Sequence, residues 1–238
     1  MIRRLCTVFL LLCTPWVVAD ELGDAIRQAE NAKSEAERLS RSANESRRKA
    51  KELYDDTRVR AFSFAADKFG SASFQFERSA KDYNSARYSL SQLKKYGTAS
   101  HATDAQKYFG WAAEKYNTAV GLLNQGNERF NNGIEEYNKK LTRQRRDDAA
   151  KNFTDAYNLE EKIGNTISEI SGKAGADDIM GCLTTARDRA SSAMVDFNTA
   201  KDRAGNPDTY RDKMKWAIRN FNEAIELFNK AVKDGSCN

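Results

Sequence analysis

Proline is nearly missing from this chain. There are 2 in 238 residues, where average usage near 5% predicts about a dozen. Pro15 stands in the apolar leader, so Pro207 alone punctuates the remainder of the chain. Such scarcity disfavours loop-rich sandwiches and Pro-rich linkers. Histidine is scarcer still, with His101 alone, and no HExxH, CxxC, Gly-x-Ser-x-Gly or glycine-rich phosphate loop occurs. Glu135-Glu136 and Glu160-Glu161 are paired acids, but the Glu-x-x-His partners of di-iron bundles are missing. Neighbours on a helix also point about 100° apart, so such pairs rarely share one ligand. These gaps leave no catalytic residue, metal site or cofactor to name, and a non-enzyme is expected. The chain does carry 31% charged and 10% aromatic residues: too many rings for wholesale disorder, and a charge content suited to long helices.

Residues 1–19, MIRRLCTVFLLLCTPWVVA, combine Arg3 and Arg4, an apolar core from Leu5 to Leu12, and Val17 and Ala19 at the −3 and −1 positions before Asp20. This is the pattern of a Sec-type signal peptide, too short to span a bilayer. Beyond it no apolar run approaches the ~18 residues a spanning helix needs. The expected mature chain is exported and soluble, in a periplasm or outside the cell. With Arg3 and Arg4 gone, 37 basic side chains face 34 acids and the net charge falls from +5 to +3.

Heptad spacing organises the rest. Leu22, Ala29, Ala36, Ala43 and Ala50 form a thin apolar seam on an otherwise polar stretch, the mark of coiled-coil-like packing that needs a partner helix from within the chain or from elsewhere. Phe62, Phe69, Phe76, Tyr83 and Leu90 then recur seven apart, the first four followed three or four residues on by Ala65/Ala66, Ala72, Ala80 and Ala86. After Gly97 and Ser100, Thr103 with Gln106 reads as a capping box. The rhythm resumes at Phe109, Tyr116, Leu123, Phe130 and Tyr137, with Ala112, Ala119, Gly126 and Gly133 as the small positions. Rings of one arm are predicted to fill gaps of the other in an antiparallel hairpin.

The second arm continues through Ile163, Ile167 and Ile170 to a break at 171–176, after which Asp177 and Asp178 are expected to cap a new helix. Gly205-Asn206-Pro207 separates it from a last helix. Cys182, near the start of one, then approaches Cys237, past the end of the other. In an exported chain this remaining pair is most simply a disulfide, closing a loop worth about 4 kcal/mol on the chain-entropy model. The alternative, a metal site, would need further His or Cys. The fold expected is all-α: residues 20–171 as a long antiparallel coiled-coil-like helical hairpin, then 177–238 as a second, disulfide-linked hairpin, together an elongated bundle.

The last helix, Phe221-Asn222-Glu223-Ala224-Ile225-Glu226-Leu227-Phe228-Asn229-Lys230-Ala231, resembles the second helix of a tetratricopeptide repeat. The match covers half of one repeat, and the family's first-helix Trp and Leu-Gly are replaced here by residues such as Asp212 and Lys215. The resemblance implies a peptide-binding scaffold.

Charge supplies the other functional signal. Residues 47–60 hold Arg47, Arg48, Lys49, Lys51, Arg58 and Arg60 against three acids, and 139–146 hold Lys139, Lys140, Arg143, Arg145 and Arg146 with none. Folding the arms about residue 100 brings the two stretches to one level, a zone of +8. Such a zone is either a solvated face, with Asp147 and Asp148 offsetting part of it, or a footprint for an anionic membrane surface or glycan. Export argues against nucleic acid as the partner. The sequence thus favours a non-catalytic scaffold or adaptor binding a protein partner through its helical faces. The 22–57 seam is the expected docking element or homo-oligomer contact, and binding of an anionic envelope polymer is the second reading.

Overall fold

The computed structural model of the protein describes residues 19–173 and 175–234. Within them lie five helices and no strand: α1 Ala19–Thr57, α2 Arg60–Tyr96, α3 Ala99–Ile170, α4 Asp177–Asp202 and α5 Pro207–Asp234. The all-helical expectation holds. The leader up to residue 18 and Cys237 fall outside the described residues. By contact the chain divides between Glu136 and Tyr137, inside α3, into two compact units, whereas sequence punctuation marks its break at 171–176.

In the first unit, α1, α2 and the first part of α3 share one core. Phe62, Phe69, Phe76, Tyr83 and Leu90 are all buried, and their rings meet the α3 rings edge-on: Phe62 with Phe130 at 5.4 Å, Phe76 with Tyr116 at 5.5 Å, Tyr83 with Phe109 at 6.1 Å. The small positions receive them. A Cβ placed on Gly126 would lie 2.6 Å from the Phe69 ring, and one on Gly133 2.7 Å from the Phe62 ring. Close approach, not turning, is what these two glycines provide.

The turns are tight. Thr57 Oγ1 donates to the Leu53 carbonyl at 2.6 Å and accepts from the Val59 N–H at 3.3 Å, while Arg58 takes a left-handed φ of 57°. Gly97 ends α2 at φ 66°, its N–H returning to the Leu93 carbonyl at 2.8 Å. That left-handed cap reverses the chain so quickly that α3 begins at Ala99. The expected Thr103–Gln106 capping box is therefore not formed: Thr103 is already helical, and its hydroxyl donates back to the Ala99 carbonyl.

The second unit packs the rest of α3 with α4 and α5 around Ile163, Leu183, Phe197 and Phe228, among alanines 156, 186, 190, 193, 217 and 224. Pro207 opens α5, the expected first-turn proline, and Asn206 Oδ1 accepts the Thr209 N–H at 3.1 Å, a cap that the sequence reading did not assign to it. The aspartate cap expected for α4 is not found. Its N-cap is Ala176, without a side-chain cap bond, because the 170–176 turn is closed by backbone bonds such as Ala176 N–H to the Lys173 carbonyl. Asp177 instead opens the first turn, where the helix dipole favours an acid. Cys182 is buried on the core face of α4.

Candidate functional site

The alanine seam is occupied from within. Ala29, Ala36, Ala43 and Ala50 are fully buried and Leu22 nearly so. Leu22 and Ala29 lie in the cluster with Tyr83 and Leu90, Ala43 with Ala72 and Phe76, Ala50 with Ala65 and Phe69. Between them a polar pin fixes the register: Ser40 Oγ sits 2.8 Å from Ser73 Oγ and donates to Glu77 at 3.2 Å. The seam is thus a correction to the sequence reading. Methyl-sized side chains let α1 approach α2 closely, and the resulting interface leaves them no exposed area with which to dock a foreign helix or a second copy.

The basic residues divide between the units, and each group is taken in its own. In the first, Arg48 pairs with Glu52 at 3.8 Å and Arg58 with Asp55 at 3.6 Å, with the Arg58 guanidinium also 5.7 Å from the Tyr54 ring centre. Arg47 lies along α2 over Gly70, whose missing Cβ would meet its Nε at 3.0 Å. Arg60 is exposed at the start of α2.

In the second unit, Arg145 is taken up by the fold. It donates to the Ala204 carbonyl at 3.3 Å and stands 5.7 Å from the Tyr210 ring centre, tying α3 to the α4–α5 turn. Burial raises the Tyr210 pKa, Asp148 adds to the rise, and Arg145 opposes it. Lys140 has a partner. Lys139, Arg143 and Arg146 are exposed, with no carboxylate within 4.0 Å among the described residues. They recur at four and three residues, one helical face.

That face runs to a cavity of about 400 Å³ lined by Arg146, Asp147, Ala150, Lys201 and Asp202. Lys201 and Asp202, from the end of α4, were missed by the sequence reading. Lys201-Asp202-Arg203 is an ordinary charged triplet along the chain, and only the return of α4 against α3 sets it beside 139–150.

Exposed aromatics, which the heptad reading did not single out, occur in both units, Tyr88, Tyr157 and Trp216 among them. Phe64 and Phe74 are each 56% exposed and Trp111 is 43% exposed. Arg78 stands 5.7 Å from the Phe74 ring centre, and Lys107 4.6 Å from that of Trp111. Lys115, also near Trp111, bonds Asp82 across the α2–α3 interface.

Among the described residues no group of three or more His, Cys, Asp or Glu is placed to hold a metal ion, and no helix is long and apolar enough to cross a membrane. His101 lies beside the α2–α3 turn, 6.5 Å from the Tyr96 ring. No protein-family model, curated protein or solved structure matches the chain.

Proposed function

We propose that this protein is an exported, non-catalytic helical scaffold that holds a protein partner against the outer faces of α2 and α3. The observation that carries the reading is the set of outward rings Phe64, Phe74 and Trp111. The inward rings Phe62, Phe69, Phe76 and Tyr83 are buried in the core, whereas Phe64 and Phe74 stay more than half exposed and Trp111, though it meets Tyr108 edge-on, is 43% exposed. Exposed aromatics flanked by basic side chains are the composition of interface anchors. The tetratricopeptide-like sequence of α5 fits the same class of protein, a helical surface for a peptide or helix.

Export by the 1–19 leader and a Cys182–Cys237 disulfide belong to this proposal. Cys182 does not stand as a free thiol, and the bridge would clasp α4 to the residues following α5.

The test is crosslinking in the native compartment from residues replaced by a photoreactive side chain. Positions 64, 74 and 111 are expected to capture one common protein, and the exposed positions 34 and 45 of α1 are not. Equal capture from both sets, or loss of none when Phe64, Phe74 and Trp111 become serine, would overturn the reading.

A second reading, binding of an anionic membrane or envelope polymer, is favoured by one specific observation. Lys139, Arg143 and Arg146 share one exposed face of α3, and Glu135, Glu136 and Asp147 stand three or four residues from Lys139 or Arg143. Yet none of these carboxylates lies within 4.0 Å of the three cations, in contrast to Arg38–Glu35 and Arg219–Glu223.

A further inference from the structure

We propose that the cleft between α3 and the end of α4 binds an acidic polysaccharide, a polymer bearing both anionic groups and hydroxyls. The inference rests on the anionic-partner reading and gives it a site and a chemical class.

Three observations carry it. First, Lys139, Arg143 and Arg146 stand on one face of α3, spaced along the axis by about 6 and 4.5 Å at ~1.5 Å per residue. Like charges at such spacing oppose helix formation by a few tenths of a kcal/mol per pair, and the acids spaced to relieve it, Glu135 and Glu136 before Lys139 and Asp147 after Arg143, do not come within 4.0 Å of these cations. Here the cations stay exposed and unpaired.

Second, the row ends in a shallow, open concavity of about 400 Å³, a groove suited to an extended polymer rather than an enclosed pocket. Lys201 enters it from α4, with its ammonium 6.0 Å from the Phe153 ring centre.

Third, the lining is not purely basic. Asp147 and Asp202 share it with Arg146 and Lys201, and neither aspartate is engaged by a cation within 4.0 Å among the described residues. Carboxylates repel a ligand that is only phosphate or sulfate, but they accept hydrogen bonds from hydroxyls. Guanidinium and ammonium donors take the anionic groups. Donors and acceptors lining one concavity fit a sugar polymer carrying charge better than a lipid headgroup surface or a nucleic acid. Arg145 and Asp148 stand beside the cleft but are turned to the Ala204 carbonyl and to Tyr210.

The test is titration of the whole protein with size-defined polygalacturonate and heparin oligomers, which separate carboxylate from sulfate. Neutral dextran oligomers and phosphatidylglycerol vesicles are run alongside. At least one acidic oligomer is expected to bind and dextran not to bind. The K139Q/R143Q/R146Q variant is expected to lose at least tenfold in affinity, and R146Q alone about threefold. K95Q/K107Q in the first unit is expected to bind as the parent does.

The deciding variant is D147N/D202N, which makes the cleft more positive yet is expected to weaken oligosaccharide binding severalfold. Tighter binding by that variant would mean plain charge attraction and would overturn the proposal. Binding to vesicles but to no oligosaccharide, or binding lost only when Arg47 and Arg60 are reversed, would reject this site while the anionic-partner reading survives. Binding to neither probe would reject both.

Discussion

Gly126 and Gly133 decide how near α3 can come to α2. Glycine inside a helix costs roughly 1 kcal/mol relative to alanine, and here the loss is offset by the Phe69 and Phe62 rings that lie where a Cβ would be. Two opposite outcomes are expected from one chemical change. Gly126→Ala and Gly133→Ala each force a buried ring to shift. They are expected to lose up to about 2 kcal/mol net, an overpacking cost of about 1–3 kcal/mol less the propensity gain of about 1 kcal/mol. Gly110→Ala and Gly121→Ala, with open space at the same point, are expected to gain up to about 1 kcal/mol. Urea midpoints distinguish the two sets.

A second residue-scale expectation concerns Tyr83, whose hydroxyl pKa is raised above 10.0 first by burial and then by Tyr116. The folded state holds that proton more tightly than the unfolded state. Stability is therefore full below the ordinary tyrosine range and falls as pH rises through it. Thermal melts from pH 8 to 11 are expected to decline less steeply for Tyr83→Phe than for the parent, and parallel curves would contradict this.

At the level of the element, α1 shows how little apolar surface a helix needs when its neighbour is close. Its seam is alanine, and the Ser40–Ser73 contact adds register rather than burial. Removing residues 20–57 would uncover the sides of Phe76, Tyr83 and Leu90, so the first unit is expected to lose its cooperative melt by near-ultraviolet circular dichroism. A truncated protein that keeps the parent transition would show that α1 is dispensable. In the second unit, the α5 cap is the weak joint. Asn206→Ala removes the side-chain acceptor of the Thr209 N–H and is expected to cost about 1 kcal/mol, visible as a lower melting temperature. Asn206→Asp is expected to retain most of the stability.

For the whole molecule, the two compact units have separate cores, and their functional signals differ accordingly. The first offers outward rings, the second an unpaired basic face and a cleft. Phe197 is fully buried in the second core, so Phe197→Ala is expected to cost about 3–5 kcal/mol. Hydrogen exchange is expected to quicken in α4 and α5. If the clasp proposed at Cys182 forms, a reductant is expected to lower the melting temperature of the parent and to leave Cys182→Ser unchanged.

The helices themselves were legible from the chain alone. Heptads of rings and small residues, a lone internal proline and three glycine-marked joints placed α2 to α5 within a few residues, because periodicity and backbone punctuation are local properties. The turn at 58–59 that ends α1 carries neither glycine nor proline and was not read. Two helix starts were misread for a local reason of another kind: the Gly97 and 170–176 turns close through backbone bonds, so Thr103 and the aspartates at 177–178 are not needed as caps. The sequence also named the basic residues, but it could not tell Arg145, used to tie α3 to a turn, from Arg143 and Arg146, which face water. Nor could it show that the alanine seam is filled by α2, or that Lys201 and Asp202 stand beside Arg146. Those depend on which faces meet after the chain reverses, and only tertiary packing decides that. Sequence determined where the helices are; the fold decided which of their side chains remain available to a partner.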